Sequence, residues 1–512
     1  MEDRVASRLS RLAPVLLAGL IVVVYLPSLG GGFLMWDDRW LIEHNPVFTV
    51  GSTKTLVAIW TDSSLGTRLT FGAEYLPIRD TFLFLEARLL GLHPLPLRLV
   101  QLGLYVAAAL CFRGALLRSV RHAAAAEAAA WIFALHPAHV ESVAWMSGQK
   151  DVLALLFVGA ACLVHAGTSA RRMWFVPLLL ACAHLSKSMT VIAGGLLVAE
   201  DLLARRRLDP KLYALVAMVA ALATLVHVRI GSVVHMVGAP AGGNRIAALM
   251  TMGSVWLRYL WVSVWPGALS LVHDVPVRTT LDPASLAGYL VVVAWGVGGL
   301  LLLVRRSSPL LLSTWLWFWL PLLPVSQILF PLQNAMADRY LLLSVMAVGL
   351  AIGGIVQRTE VAGKIVAAVA ILTFAGASAQ RSALFSSNLA VFGDAMLKTH
   401  ESPIAPYQFG KALEWAGDLA GARAAYEEVL RRSPGASDPS RRATNNLAKI
   451  YAGEGRYADA ERLLERGLGL WPNDRKMWRN LLIVLARQGK MDAARKIGDR
   501  LARIPETYEL PE

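Results

Sequence analysis

Residues 12–29 read LAPVLLAGLIVVVYLPSL and contain no charged side chain. An α-helix needs about 20 such residues to cross the hydrocarbon core of a bilayer. Similar runs recur along the chain as far as about Gln380 and then stop. The chain is 56% hydrophobic, with a mean hydropathy of +0.50. This pattern predicts an all-α protein with a polytopic membrane domain and a water-soluble C-terminal part.

The charge distribution predicts how the chain threads the membrane. Of the 50 Lys+Arg and 36 Asp+Glu, 20 and 17 lie from Asp394 onward, so most of the +14 net charge belongs to the apolar part. Those cations occupy short turns between apolar runs, as the positive-inside rule expects of cytoplasmic turns. No basic face interleaved with aromatic residues is present, so nucleic acid is not an expected partner.

The same rule gives about eleven spans and a cytoplasmic N-terminus. We place the spans at 12–29, 95–117, 123–136, 151–167, 173–186, 189–204, 211–230, 284–304, 309–330, 338–357 and 362–380. Residues 246–266 then have to form a re-entrant or interfacial helix, or a split pair. With an odd number of spans, the C-terminal part lies outside the cytoplasm. Arg4, Arg8 and Arg11 before the first run predict a retained signal anchor.

The C-terminal part carries an internal repeat. Small and large residues recur at identical spacing in two segments: Gly410, Leu413, Ala422, Tyr426 and Pro434, then Ala448, Tyr451, Ala460, Leu464 and Pro472. This spacing is the tetratricopeptide signature. We predict a membrane domain over 1–385, with an extracytoplasmic first loop at 30–94, and a repeat domain over 394–512. The repeats fall at about 403–436, 441–474 and 475–508, and their concave face predicts docking of an acceptor or partner, or only a stabilising cap.

Ionisable residues gather at the predicted extracytoplasmic ends of spans, where such groups point to function. They are Asp37, Asp38, His136, His139, Glu141, Lys187, Asp338, Arg339 and Tyr340. A partly desolvated aspartate after the first span has the basicity of a general base, although a helix cap or solvated loop is the plain alternative.

The other polar residues of this set suit a phosphate-bearing ligand. Lys187 and Arg339 are cations able to hold a phosphate. His136, His139 and Glu141 are predicted to hydrogen-bond a polar headgroup. A divalent cation at these three residues is the less favoured alternative, because the proline between the histidines breaks a standard zinc spacing. We therefore expect no metal and no cofactor, and Cys111, Cys162 and Cys182, all within apolar segments, add no disulfide framework.

Several segments, in order along nearly the whole chain, together resemble the transmembrane and tetratricopeptide-repeat O-mannosyltransferases of animals and their bacterial relatives. Trp36-Asp37-Asp38 resembles the first-loop acidic motif of that family. The nearest likeness is His136-Pro137-Ala138-His139-Val140-Glu141-Ser142-Val143-Ala144-Trp145 with Ser147-Gly148-Gln149-Lys150-Asp151. Further likenesses are Tyr75-Leu76-Pro77-Ile78-Arg79, Leu185-Ser186-Lys187-Ser188 and Asp338-Arg339-Tyr340-Leu341, with Leu76 and Ser188 where the family usually has Arg and Glu.

The resemblance implies a GT-C glycosyltransferase fold and an inverting transfer of a sugar, mannose in that family, from a polyprenyl-phosphate carrier to an acceptor outside the cytoplasm. It implies Asp37 or Asp38 as the base. It also implies Arg79, Lys150, Lys187 and Arg339 around the donor phosphate or headgroup.

We predict a multi-pass enzyme of the bacterial inner membrane that acts on a protein or glycan acceptor. The alternatives are a non-catalytic scaffold that recruits periplasmic partners through its repeats, and a lipid-linked oligosaccharide polymerase or transporter.

Overall fold

The structure, a computed structural model, describes residues 2–233, 243–305, 308–328, 332 and 334–504, with side chains from Arg11 onward. Over these residues it contains helices and no strand, which confirms the predicted all-α fold class. The chain divides into two compact units, one of Met1–Leu269 with Val275–Ser386 and one of Ser270–Asp274 with Ser387–Glu512. The predicted repeat end at 505–508 lies outside the described residues.

The first unit is built from seventeen α-helices within the described part of the chain. They are α1 Glu2–Leu29, α2 Pro46–Thr49, α3 Thr53–Thr61, α4 Leu65–Thr70, α5 Pro77–Leu90, α6 Pro94–Ser119, α7 Ala123–Ala134, α8 Val140–Ala144, α9 Gln149–His165, α10 Arg172–Ser186, α11 Ala193–Ala204, α12 Pro210–Val233, α13 Arg245–Val264, α14 Pro283–Arg305, α15 Pro309–Trp319, α16 Met346–Thr359 and α17 Val361–Leu384. Short 3-10 turns at Pro137–His139, Ser188–Ile192 and Asp338–Leu341, and a π-helical turn at Arg39–Glu43, join them.

Six helical stretches of the described chain are long and apolar enough to cross a bilayer. They are Arg11–Leu29, Pro94–Ser119, Met146–His165, Pro210–Val233, Pro283–Arg305 and Val361–Leu384. Three shorter apolar helical stretches are Arg172–Ser186, Pro309–Leu322 and Met346–Thr359. The chain is thus a multi-pass membrane protein, while the number of eleven spans stays a prediction.

Several predicted segments differ from the observed helices. The span expected at 309–330 is helical only as far as Leu322 within its described residues, and the one at 189–204 begins as a 3-10 turn. The apolar stretch expected at 338–357 begins as a 3-10 turn, Asp338–Leu341, and becomes α-helical only at Met346, so its charged residues lie before the helix. Residues 246–264 belong to one uninterrupted helix, α13, and Pro266 begins a 3-10 turn, so the segment is not a split pair of helices. The re-entrant and interfacial alternatives for α13 stay open.

Close packing of α7 on α16 supports the site described below. A side chain on Gly349 would meet the carbonyl oxygen of Ala129 at 2.5 Å, and one on Gly353 would meet that of Ala125 at 2.7 Å. Small residues four apart on both helices let the two backbones touch. Because α7 leads into the turn at Pro137–His139 and α16 follows the turn at Asp338–Leu341, this contact brings the two turns together.

The second unit consists of seven helices within the described residues. They are α18 Asn388–Lys398, α19 Ile404–Trp415, α20 Leu419–Arg432, α21 Asp438–Gly453, α22 Tyr457–Leu470, α23 Arg475–Arg487 and α24 Met491–Arg503. The last six form three successive pairs. In the first pair the fully buried Tyr426 ring packs against Gly410. In the second pair the small residues Ala448 and Ala460 and the large residue Leu464 lie in one hydrophobic core. This agrees with the small and large positions of the repeat pattern.

Candidate functional site

The two adjacent aspartates of the first loop lie in different surroundings. Asp38 is completely buried. Its carboxylate accepts hydrogen bonds from the backbone N–H of Leu34 at 2.9 Å, and from the backbone N–H and hydroxyl of Ser147 at 2.9 and 2.5 Å. Asp37 is only partly buried. One carboxylate therefore fastens the first loop to the segment before α9, and its neighbour keeps access to solvent.

The electrostatic surroundings also separate the pair. Burial raises the pKa of Asp37 above its ordinary value, while Lys150, Arg339 and a hydrogen bond from Trp40 oppose that rise. Burial raises the pKa of Asp38 to about 6, against the lowering effect of its bonds from Ser147 and Leu34. A carboxylate with a raised pKa is a stronger proton acceptor, and only Asp37 combines that property with access.

An ion pair between the first loop and α9 lies beside Asp37. The Lys150 ammonium is 2.5 Å from the Glu74 carboxylate. Burial alone would raise the pKa of Glu74, but Lys150, Lys187 and Arg79 outweigh it and lower the pKa to about 2. Glu74 is therefore an anion that holds Lys150 in place.

The Arg79 side chain points into the protein interior, where other residues of the chain bind its guanidinium. Its guanidinium is 2.5 Å from the Asp80 carboxylate, donates to the Phe71 carbonyl at 2.9 Å, and lies 3.8 Å from Glu74. The side chain is almost completely buried. These bonds fix the end of the first loop onto the start of α5.

Arg339 and Lys187 are each held by a buried carboxylate. Arg339 pairs with Glu141 through its guanidinium and donates its backbone N–H to the same carboxylate at 3.2 Å. Lys187 lies 3.0 Å from Asp151, the residue after Lys150. The Arg339 guanidinium also stacks over the rings of Trp145 at 5.9 Å and Tyr340 at 5.4 Å.

Lys187, Arg339 and Asp151 line an open cleft. Its polar lining consists of Asp151, Lys187, Thr190, Arg339 and Tyr340, and its apolar lining of Ala154, Leu155, Met189, Pro321, Leu342 and Leu343. One wall is α9 and the others come from the turns at Ser188–Ile192 and Asp338–Leu341. The cleft thus combines a polar end, which holds the ion-paired cations Lys187 and Arg339, with an apolar wall.

The two histidines lie behind this surface, with their ring nitrogens engaged by the protein. His136 bonds the Ser263 carbonyl at 2.8 Å and accepts from the Ala138 N–H at 3.2 Å. His139 bonds the Leu342 carbonyl at 2.8 Å and the Tyr105 hydroxyl at 2.6 Å. Both are completely buried. In this geometry they hold the loop between α7 and α9 against its neighbours.

Asp338 also lies in the interior, with Arg381 of α17 at 2.6 Å. Among the residues that the structure describes, no group of three His, Cys, Asp or Glu side chains is arranged to hold a metal ion. Of the predicted site residues, Lys187, Arg339 and Tyr340 line the cleft. Asp37 and Lys150 lie close enough to Arg339 and Lys187 to interact with them electrostatically, and buried Glu141 holds Arg339. Asp38, Arg79, His136, His139 and Asp338 support the cleft from behind.

Two residues on α6 were missed by the sequence analysis. Arg98 is almost completely buried and donates to the carbonyls of Ala144 at 2.7 Å, Gly32 at 2.9 Å and Phe385 at 3.4 Å. Gln101 donates to three more carbonyls, those of Ser142, Val143 and Trp145. Together they tie the first loop, and the loop between α7 and α9, to α6. The sequence does contain an indication of their role, because a cation and an amide within an apolar span are costly and point to function.

Comparison with known proteins gives relatives for both parts of the chain. A family model described as a tetratricopeptide repeat matches residues 407–475 and 445–508. "Protein O-mannosyl-transferase F38B6.6" of Caenorhabditis elegans is 26% identical over 218 residues, which cover 41% of this chain and 31% of that protein. "Protein O-mannosyl-transferase TMTC1" of Mus musculus is 33% identical over 148 residues, 28% of this chain and 16% of that protein.

The Homo sapiens protein of the same name is 30% identical over 208 residues, 37% of this chain and 23% of that protein. The matches therefore span less than a third of each relative's length. No solved structure matches the chain significantly. With its apolar helices, its repeats and these likenesses, the chain is a relative of the tetratricopeptide-containing protein O-mannosyl-transferases, as its sequence motifs predict.

Proposed function

We propose that this protein is a membrane glycosyltransferase that moves a sugar, mannose by its likeness to the named relatives, from a polyprenyl-phosphate carrier to a hydroxyl of a protein or glycan acceptor. The observation that carries the proposal is the cleft. It joins two cations, Lys187 and Arg339, to an apolar wall, and Arg339 also acts electrostatically on Asp37. A lipid-linked sugar phosphate has the same division into an anionic and an apolar part.

The cations of the cleft keep donors for a phosphate although each is paired. An ammonium has three N–H donors and a guanidinium has five, whereas one carboxylate engages only some of them. Pairing with Asp151 and Glu141 fixes where Lys187 and Arg339 point before any ligand arrives. Preorganised cations of this kind stabilise charge that develops on a departing phosphate, without reorganisation during the reaction.

In the proposed reaction Asp37 is the base. Its carboxylate takes the proton from the acceptor hydroxyl, while that oxygen forms a bond to the anomeric carbon of the donor. The bond from that carbon to the phosphate oxygen breaks, and the lipid phosphate leaves with its negative charge facing Arg339 and Lys187. Attack on the side opposite the leaving group inverts the anomeric configuration. General base catalysis of this type contributes about 10² to 10⁴ in rate.

The interior residues are proposed to position this machinery. Asp38 fastens the loop that carries Asp37, and His136 and His139 fix the loop that carries Glu141, the partner of Arg339. Direct contact of the histidines, Arg79 or Asp338 with the donor headgroup stays a prediction.

The remaining assignments follow from topology and the repeats. We propose a bacterial inner-membrane protein with a cytoplasmic N-terminus, so that the cleft and the repeat domain lie on the extracytoplasmic side. Tetratricopeptide repeats are surfaces for protein interaction, and their proposed role here is to dock a protein acceptor.

The experiment is transfer by the purified full chain from a radiolabelled polyprenyl-phosphate sugar. Asp37→Asn is expected to lower transfer by at least about 100-fold, with unchanged thermal stability because the group makes few interior bonds. Asp62→Asn is the matched control in the same loop and should transfer normally. Full transfer by Asp37→Asn would overturn the assignment of the base.

The same transfer assay on the wild-type protein separates the rival functions. If partners still bind through the repeats and wild-type protein transfers no sugar from any polyprenyl-phosphate donor, the scaffold function replaces the enzyme. A ladder of products instead of one band would indicate a polymerase.

A further inference from the structure

The helix ends farthest from the cleft form a second, cationic surface. The helix α6 starts beside the site, where Arg98 bonds Ala144, and runs for 26 residues to Ser119. At 1.5 Å per residue α6 is about 39 Å long, and α10, which runs from Arg172 at this end to Ser186 beside Lys187 of the cleft, is about 22 Å long. The helix α9 runs in the same sense and ends at His165. Three turns meet there, which connect α6 to α7, α9 to α10 and α11 to α12.

Hydrogen bonds fasten these three turns to one another. Arg206 donates to the His165 carbonyl at 3.1 Å and to the Ser119 hydroxyl at 3.4 Å. Arg118 donates to the Leu163 carbonyl at 2.8 Å. Bonds between side chains and turn carbonyls leave little freedom for the turns to move apart. The surface they form is therefore preorganised.

The carboxylates near these turns are already used inside the protein. Asp201 is buried, with His165 and the Tyr213 hydroxyl each at 2.8 Å. Asp209 pairs with Arg172 at 3.2 Å, which also brings the start of α12 to the start of α10. Glu200 is buried as well and accepts from the Ser119 hydroxyl at 2.9 Å, so these carboxylates are engaged by neighbours within the protein.

Five exposed cations remain on this surface with no carboxylate within ion-pair distance in the described part of the chain. They are Arg121, Arg171, Arg205, Arg207 and Lys211. These five residues form the basic turn surface. Such a cluster beside membrane helices attracts anionic headgroups, with each cation contributing about fivefold in affinity.

An apolar strip adjoins the basic turn surface. On α10, directly after Arg171, the side chains of Trp174, Phe175 and Leu178 are 75%, 48% and 57% exposed. An exposed tryptophan at the end of a membrane helix is typical of the headgroup level of a bilayer. A ligand that fits both parts has a phosphate for the cations and acyl chains for the strip.

We propose that the basic turn surface binds an anionic phospholipid of the surrounding bilayer, with its phosphate among Arg171, Arg207 and Lys211 and its acyl chains along α10. A nucleic acid has phosphates that could bind the cations, but it has no acyl chains to cover the exposed side chains of Trp174 and Leu178. The site is separate from the cleft, and the proposal holds whether or not the chain is a glycosyltransferase.

The test uses the full chain in nanodiscs, with bound lipid measured by native mass spectrometry. The variant Arg171→Gln with Arg207→Gln and Lys211→Gln is compared with a control that removes the same charge from exposed positions of the repeats, at Arg466, Arg495 and Lys496. Phosphatidylglycerol should bind the wild type and the control alike. The three-site variant should bind it about 100-fold more weakly, and phosphatidylcholine should not distinguish the three proteins.

Other outcomes overturn the proposal. Equal loss of phosphatidylglycerol in both variants would mean that only net charge matters. Equal binding of phosphatidylglycerol and phosphatidylcholine by the wild type would exclude recognition of anionic lipid. Loss of polyprenyl phosphate with unchanged phosphatidylglycerol would assign the surface to the sugar carrier instead. Helix content measured by circular dichroism verifies that each variant is folded.

Discussion

Replacement of Arg98 by lysine should loosen both loops of the candidate site at once. The Arg98 guanidinium bridges the carbonyls of Gly32, Ala144 and Phe385, at 2.9, 2.7 and 3.4 Å. A lysine ammonium keeps the charge but is compact and lacks the planar fork, so it cannot span three carbonyls from different segments. We expect it to retain one of the three bonds.

The size of the effect on the free energy of local opening follows from the two hydrogen bonds that are lost. A hydrogen bond to a charged group contributes about 1.5–3 kcal/mol, so the local opening free energy should fall by about 3 kcal/mol. Amide exchange in residues 32–38 and 141–147 should then accelerate by about 100-fold. Sugar transfer should fall as well, because the loops carry Asp37 and Glu141.

Hydrogen exchange measured by mass spectrometry on the full chain in detergent provides the assay. Arg113→Lys is the matched control, because Arg113 lies on the same helix and pairs with the single carboxylate of Glu127. The control should leave exchange in both loops unchanged. Unchanged exchange in Arg98→Lys would refute the claim that this guanidinium holds the loops.

Three further predictions concern the base and the second unit. Burial raises the pKa of Asp37, so kcat/KM for transfer should fall as pH drops through a value above the ordinary carboxylate range, and a pH–rate profile measures this. Asp274 accepts three backbone N–H bonds at the start of the repeats; Asp274→Ala should cost about 1–2 kcal/mol and speed limited proteolysis there. Burial alone would raise the pKa of Asp274, but these bonds lower it, so the stability it contributes is present above the unfolded pKa and is lost as pH falls through the folded one. Gly410→Val would place a Cβ 2.8 Å from the Tyr426 ring and should destabilise the repeats by about 1–3 kcal/mol in thermal unfolding, whereas Gly435→Val meets nothing within 4 Å and should not.

The helices were predictable where the signal is local. The first and last spans, expected at 12–29 and 362–380, correspond to the apolar helical stretches Arg11–Leu29 and Val361–Leu384. Hydrophobic length and repeat spacing are properties of neighbouring residues, so a single sequence contains them. The start of α16 was predicted wrongly, at 338 instead of Met346. A hydropathy window averages over Asp338 and Arg339 with their apolar neighbours, so it includes them in the helix. It contains no information on the ion-pair partners that hold these two charged residues in a separate turn.

Three residues of the cleft, Lys187, Arg339 and Tyr340, belong to the set predicted from the sequence, but their pairing was not predictable. Lys187 and Arg339 were identified from residue type and position at span ends. Their carboxylates, Asp151 and Glu141, lie 36 and 198 residues away along the chain. Such pairs form only when helices pack, and no local pattern selects them. Hence the sequence predicted cations for a phosphate and could not predict that each is already oriented by an acid.

The choice between Asp37 and Asp38 also depends on partners that are distant in sequence. The two are adjacent and chemically identical, so every local argument applies to both. What separates them is Ser147, 109 residues away, which donates two hydrogen bonds to Asp38 and none to Asp37. Ser147 lies there because Arg98 and Gln101 of α6 hold the preceding carbonyls of residues 142–145. A carboxylate that accepts three bonds in the interior would have to break them to take a proton from a substrate, so Asp37 is the one that we propose as the base.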